Sequence, residues 1–389
     1  MNNPLGSLGV IVERNVEVPM RDGTVLRADI WRPDAAGQFP VLIERTPYDK
    51  TTSSESSLGA GEYYASHGYV TVIQDVRGRF ASDGLFYPFR DDGDGENQDG
   101  YDTVEWAAAQ PWSNKKIGTI GGSYSGATQY RMLATQPPHL VAQFVRQSSS
   151  DYYIEWVYRS GVFEHGFNIS WTLKHASTNA VKLAPYGMED EVVTRLTKAS
   201  DDYQKWLEHV PISPLLPVAD LQDWFVDWMD HPNQGEYWNE FSIVRSHDRV
   251  DVPVHHFGSW YDCFLRGTIE NYVGMRSKAV NKQARSGQRL TIGPWVHNPS
   301  PADMRTSGEV DFGEQAKLGW FATRLRWFDH WLKGIDNGIE QEKPVKLFTM
   351  GVNKWREFSE WPPAEISYTP FYLSNGSSGS AQSLNDGVL

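Results

Sequence analysis

Cysteine is almost absent from this chain: Cys263 stands alone among 389 residues, which excludes an internal disulfide and any zinc site built from several cysteines. The apolar Phe264 and Leu265 beside it predict a buried structural thiol. No apolar run approaches the roughly 20 residues that cross a bilayer, and the start, Met-Asn-Asn-Pro-Leu-Gly, has neither the basic cluster nor the apolar core of a secretory leader. A cytoplasmic protein with no membrane partner is expected. Basic runs are lacking too, and a net charge of −13 argues against nucleic acid or an anionic membrane surface as an obligatory partner. Internal repeats are absent. The acidic turn Asp91 to Gly100 lacks the calcium-loop pattern, because the sixth position from Asp92 is Asn97 rather than Gly and the twelfth is Thr103 rather than Glu. It reads as a solvated turn, so no metal and no cofactor are expected.

What the chain does have is a serine in an unusual setting. In Lys116-Ile-Gly-Thr-Ile-Gly-Gly-Ser123-Tyr124-Ser-Gly126 a short apolar strand ends in glycines, presents a serine and passes into the helix-like stretch Ala127 to Gln136. That is the layout of a nucleophile elbow, a tight strand-to-helix turn that leaves only glycine-sized room around the serine. One departure stands out: Gly121 lies two before Ser123, but the next glycine, Gly126, lies three after it with Ser125 between.

A serine hydroxyl is a poor nucleophile at neutral pH, so a base must take its proton and a carboxylate must hold that base in one tautomer. The chain order for this turn is Ser, then Asp or Glu, then His. Val252 to Phe264 reads as a β-rich run that opens into a loop offering Asp262, and Arg289 to Pro299 reads as a buried strand with His297 just past it. Both side chains sit beyond strand ends, where open α/β sheets place their chemistry. His255 and His256 compete as bases, but either would reverse the chain order.

The organisation fits that reading. Val10–Val18, Thr24–Trp31, Val41–Arg45 and Tyr69–Gln74 have strand character, Asp99–Gln110 reads as a helix stopped by Pro111, and a further helix is expected near Gly61–His67. The alternation implies an α/β sheet with helices on both faces. Ser148 to Phe241 changes to tryptophan-rich helical segments, including Glu189–His209 and Leu221–Met229, as an insertion between nucleophile and acid would.

Five separated blocks then carry a specific resemblance: Gly-Gly-Ser123-Tyr124-Ser-Gly126, Arg45-Thr-Pro-Tyr48-Asp-Lys, Gln74-Asp-Val-Arg77-Gly-Arg, Trp260-Tyr-Asp262 and Gly293-Pro-Trp-Val-His297. Together they resemble the family of cocaine esterase and X-Pro dipeptidyl-peptidases, the S15 or CocE/NonD hydrolases, which tolerates the extra residue before Gly126. The resemblance implies an α/β-hydrolase fold with an inserted helical cap and the start of a C-terminal β jelly-roll. The expected boundaries are residues 1–147 and 246–343 for the hydrolase, 148–245 for the cap, and 344–389 for the opening of the third domain, incomplete here. It further implies a serine hydrolase with Ser123, Asp262 and His297 as catalytic triad and with Tyr48 hydroxyl and Tyr124 amide as oxyanion donors. By the same resemblance Trp156, Trp171 and Phe264 match pocket-lining positions, although large aromatics serve equally as core. A small ester or a short peptide is the expected partner, and homo-oligomerisation stays open. With no carboxylate between Asp262 and Glu270 to hold a charged amine, an ester is favoured; Glu155 or Glu164 as an amine anchor would favour an X-Pro peptidase. A non-catalytic binding module that kept the fold is the reading from another class.

Overall fold

The computed structural model describes residues 6–212, 223–370 and 372. Ten strands hydrogen-bond into one sheet among them: β1 (Val10–Pro19), β2 (Val25–Pro33), β3 (Phe39–Thr46), β4 (Val70–Asp75), β5 (Ser113–Thr119), β6 (Leu140–Arg146), β7 (Val254–Tyr261), β8 (Arg289–Val296), β9 (Val345–Thr349) and β10 (Lys354–Phe358), in the order 1-2-4-3-5-6-7-8-9-10. The two ends are antiparallel, β1 on β2 on β4 and β9 on β10, while the strands from β4 through β3, β5, β6, β7 and β8 to β9 run parallel. Parallel neighbours need crossovers, and helices supply them: α1 (Ala60–Ser66), α2 (Asp99–Ala108), α3 (Tyr124–Leu133), α4 (His165–Leu183), α5 (Asp190–Asp201), α6 (Asp223–Asp230), α7 (Leu265–Lys278) and α8 (Trp320–Trp331).

The inner strands are buried on both faces, and their two-residue period splits the core in two. Ile43 and Val145 pack with Val104, Leu133 and Met275 from α2, α3 and α7. Their chain neighbours Leu42 and Phe144 face the other way, against Tyr64 of α1 and Trp320, Trp327 and Phe328 of α8. Each such side chain contributes about 1.5–3 kcal/mol by leaving water. The result is a rigid platform whose carboxyl-end loops carry Ser123, Asp262 and His297.

Between β6 and β7 the chain builds the expected helical insertion, α4 to α6 with shorter turns, around a third cluster centred on Trp156, Trp171, Trp224, Trp228 and Trp238. Leu221 and Gln222, the start expected for the last long cap helix, lie outside the described residues. Among the described residues no helix is long and apolar enough to cross a membrane.

The first strands after Pro344 extend the sheet: Leu290, Thr291 and Ile292 of β8 pair with Val345, Lys346 and Leu347 of β9, and β10 closes the hairpin. Burial of Val345 and Phe348 against the hydrolase sheet explains that placement. Phe371 to Gly376, read as a further strand, falls outside the described residues apart from Tyr372. The acidic turn, in turn, is not solvated where it matters. Asp92 and Asp99 are buried and ion-paired, Asp92 to Arg45 at 2.7 Å and Asp99 to Arg77 at 2.6 Å. Arg45 at the end of β3 and Arg77 just after β4 are its partners, so the turn ties the carboxyl ends of the two strands together.

Candidate active site

Ser123 occupies φ 57° and ψ −124°, a left-handed conformation that costs a non-glycine residue about 1–3 kcal/mol. Hydrogen bonds hold it there. Its N–H donates to the carbonyls of Arg146 (3.0 Å) and Gln147 (3.2 Å), and its carbonyl accepts Gly126 N, Ala127 N and Ser148 Oγ at 3.0, 3.0 and 2.9 Å. A Cβ on Gly121 would meet Ser125 Cβ at 2.6 Å, and one on Gly126 would meet Ser148 Cβ at the same distance. This accounts for the displaced glycine: Ser125 fits over Gly121, and Ser148 requires the gap at Gly126. From Ile117 through Ala134 every residue is buried except Ser123. The fold thus brings one hydroxyl to the surface of an otherwise closed strand and helix.

Asp262 and His297 meet across the ends of β7 and β8, with His297 Nδ1 2.8 Å from Asp262 Oδ1. The carboxylate side chain is fully buried and the imidazole about one-third exposed (35%), the asymmetry wanted of an orienting acid and a working base. The competing histidines are spent elsewhere. His255 Nε2 bonds Thr291 Oγ1 at 2.9 Å, and His256 is bracketed by Tyr130 OH and Gln288 Oε1 at 2.7 and 2.9 Å.

The Tyr48 hydroxyl accepts Trp171 Nε1 at 3.3 Å, and Ser123 is near enough to act on its titration. Burial raises its pKa above the usual 10, so the phenol stays a donor wherever an imidazole can act as base. Arg79 fixes the Tyr48 loop by donating to Pro47 O (3.1 Å), to His175 O (3.2 Å) and to Thr178 Oγ1 (2.6 Å) on α4. Tyr124 opens α3, whose first amides have no partner inside the helix and lie at the positive end of its dipole. Its ring is buried and its hydroxyl accepts Phe89 N at 2.8 Å, which holds the amide in place.

The three aromatics read as pocket residues form one stack. Trp156 lies parallel to Phe264 at 4.8 Å and edge-on to Trp171 at 5.7 Å, and Phe264 meets the His297 ring edge-on at 5.5 Å. Trp156 and Phe264 are buried and Trp171 is 8% exposed, so Trp171 alone among them shows surface. Glu155 is buried: its Oε2 accepts Ser150 N at 2.7 Å, its Oε1 has no hydrogen-bond partner, and burial pushes its pKa up to about 8. Glu164 pairs with Arg159 at 2.7 Å, and Arg159 also reaches the Cys263 carbonyl at 3.3 Å. Cys263 itself is exposed rather than buried. In the turn from β7 into α7 the neighbouring Phe264 takes the inward position, and the thiol is left outside, 3.7 Å from Asp262 Oδ1.

Sequence reasoning missed Gln147. Fully buried at φ 47°, it donates to Ser259 Oγ and Val296 O, both at 2.7 Å, and accepts Asn298 N (3.1 Å) and Arg146 Nη1 (3.0 Å). One amide thereby joins the strand ends that carry elbow, acid and base. Glu44 was missed as well. It is fully buried, accepting Ser53 Oγ at 2.7 Å, near the buried Glu55–Arg324 pair at 2.7 Å and close enough to Ser125 of the elbow for that hydroxyl to lower its pKa. Neither had a local signal beyond a polar residue in β3, for Glu44, or directly after β6, for Gln147.

Comparison with known proteins follows the same lines. Residues 22–299 match the model of the X-Pro dipeptidyl-peptidase (S15) family, and residues 337–388 match the X-Pro dipeptidyl-peptidase C-terminal non-catalytic domain. Cocaine esterase from Rhodococcus sp. (strain MB1 Bresler) is 31% identical over 386 residues, covering 97% of this chain and 64% of that protein. An aminopeptidase structure from a marine sediment Thaumarchaeota archaeon superposes with a TM-score of 0.70 at 22% identity, over 93% of this chain and 61% of that one. An α-amino acid ester hydrolase superposes with a TM-score of 0.68 at 23% identity, over 93% and 60%. The chain spans less than two thirds of these relatives. With a family match over most of its length and the elbow, acid and base in family order, the chain belongs to the X-Pro dipeptidyl-peptidase (S15) family of α/β-hydrolases.

Proposed function

We propose that the chain is a serine hydrolase that cleaves carboxylic esters through an acyl-enzyme on Ser123. The observation that carries this reading is the oriented pair His297 Nδ1–Asp262 Oδ1 at 2.8 Å, together with a strained Ser123 that is the one residue not buried in its strand and helix. Ser123 Oγ attacks the acyl carbonyl while His297 Nε2 takes its proton. The Tyr48 hydroxyl and the Tyr124 amide meet the developing oxyanion, a contribution of about 3–4 kcal/mol per donor in comparable sites. The alcohol leaves with the proton held by His297, and a water then repeats the sequence to release the acid. Asp262 holds the imidazole in the tautomer with Nδ1–H throughout.

An uncharged ester with an apolar acyl group is favoured over an amino-terminal peptide. Glu164 is paired with Arg159 and Glu155 Oε2 accepts from Ser150, and burial raises the pKa of Glu155, which makes both weak anchors for an ammonium. Cleavage of an X-Pro peptide is the second reading, supported by the family model. The boundaries 147/148, 245/246 and 343/344 are part of the proposal, supported by β6 ending at Arg146, β7 starting at Val254 and β9 starting at Val345. So are a cytoplasmic setting and a small ester or short peptide as partner, which rest on composition. Hydrolysis of short-chain aryl esters measured beside Ala-Pro-anilide decides between substrates. Ester turnover at the higher kcat/KM, lost in Ser123→Ala, is expected; preferred anilide cleavage would move the assignment to the peptidase.

A further inference from the structure

Asp262, Cys263 and His297 each place a ligand atom within 4.8 Å of the other two. Cys263 Sγ and His297 Nδ1 both approach Asp262 Oδ1, at 3.7 and 2.8 Å, while Asp262 Oδ2 is buried with no hydrogen-bond partner. A buried carboxylate oxygen left without a donor is costly, by about 1–3 kcal/mol or more for a charged group. The thiol is exposed and the imidazole partly so, which leaves a fourth direction open to water.

We infer that Asp262, Cys263 and His297 form a binding site for a thiophilic divalent cation of the Zn2+ or Cd2+ class, and that its occupation switches the hydrolase off. The dimensions fit. Bonds of about 2.0–2.3 Å to sulfur, nitrogen and oxygen set tetrahedral ligand atoms about 3.4–3.6 Å apart. The sulfur–oxygen spacing of 3.7 Å is within about 0.1 Å of this, the histidine–carboxylate spacing of 2.8 Å must open by about 0.6 Å, and the sulfur and imidazole, within 4.8 Å of each other, reach it by side-chain rotation. Mixed sulfur, nitrogen and oxygen ligation selects Zn2+ or Cd2+ over Mg2+ or Ca2+.

The chemistry of inhibition is a tautomer switch. The cation takes Cys263 as thiolate, whose proton goes to solvent, and takes the lone pair of His297 Nδ1. The proton that Nδ1 carried moves to Nε2. An Nε2 that already bears a proton cannot accept one from Ser123, and Asp262 now holds the metal instead of the imidazole. Only the inhibitory half rests on the ester-hydrolase reading; cation binding does not.

Cadmium titration of the full chain, followed by the ultraviolet thiolate-to-metal charge-transfer band, tests the site without any turnover. One band saturating at one equivalent is expected, absent in Cys263→Ala and weakened in His297→Ala, with circular dichroism showing all three folded. In parallel, Zn2+ is expected to inhibit ester hydrolysis, reversibly on adding EDTA. Cys263→Ala, which leaves the triad intact, should keep basal turnover and raise the half-inhibiting Zn2+ concentration at least about tenfold, since even outer partners of metal ligands change affinity on that scale. A chain that turns over no ester but shows the Cys263-dependent band keeps the site and loses the hydrolase reading. Absence of the band, or equal Zn2+ sensitivity in Cys263→Ala, would overturn the inference.

Discussion

Replacing Tyr48 by phenylalanine removes one oxygen and little else, so it isolates the side-chain donor proposed for the oxyanion. The hydroxyl accepts Trp171 Nε1 at 3.3 Å, while the ring packs edge-on to Tyr124 at 6.5 Å and near His175 at 5.5 Å. Phenylalanine keeps those ring contacts, and Arg79 still holds Pro47 and α4. Two losses follow. In the transition state a donor aimed at the oxyanion disappears, worth about 3–4 kcal/mol, or a fall of roughly 10²–10³ in kcat. In the ground state the Trp171 indole N–H loses its acceptor, which costs about 1–3 kcal/mol of stability. Because the neutral ester carbonyl gains little from this donor before attack, KM should change by less than about threefold. Aryl-ester kinetics with a parallel urea titration separate the two effects. The pH–rate profile should keep its shape, since the raised pKa of Tyr48 places its own titration outside the working range. Retention of kcat within about threefold, in a variant whose stability has dropped as expected, would show that Tyr48 does not face the oxyanion.

Gln147→Ala should lower kcat at least about tenfold and stability by about 2–3 kcal/mol, because Ser259 Oγ, Val296 O and Asn298 N lose a common buried partner; unaltered kinetics would remove Gln147 from the positioning of His297. Glu44→Gln addresses pH. Burial first, and then the charge of Glu55, push Glu44 from its usual 4.5 up to about 8, against the hydrogen bond from Ser53 and the nearby Ser125 hydroxyl. The folded state therefore holds a proton that the unfolded chain has released, so this group's contribution is fully present below pH 4.5 and is lost as pH rises through about 8. Wild-type stability should fall between pH 5 and 8 by up to about 1.4 kcal/mol per pH unit on this account, and the glutamine variant should lack that slope in urea titrations at several pH values. Parallel pH dependences would show Glu44 to be charged in the folded state.

Much of the site was legible because its signals are local. An elbow needs glycine-sized gaps within a few residues of Ser123, and acid and base each stand one residue past a strand, at Asp262 after Tyr261 and His297 after Val296. Chain order alone removed His255 and His256. What stayed hidden depends on residues far apart in the chain. Gln147 finds Ser259 and Val296 at separations of 112 and 149 residues, and Arg45 finds Asp92 at 47. A run of aspartates looks solvated until its arginines are known. Cys263 misled for the opposite reason: its apolar neighbours are local, but in a strand-to-helix turn adjacent side chains point in different directions, and only Phe264 goes in. Likewise β9 has the pattern of any buried strand, and nothing in it names the sheet it joins.

Fluorophosphonate labelling of the folded full chain, read by the mass of the proteolytic peptide that carries Ser123, bears most directly on the nucleophile. A single adduct on Ser123 is expected, absent in Ser123→Ala and formed about 10⁴-fold more slowly in Asp262→Asn, where the imidazole adopts the wrong tautomer. A folded chain that takes no label, or takes it on another serine, would contradict the triad.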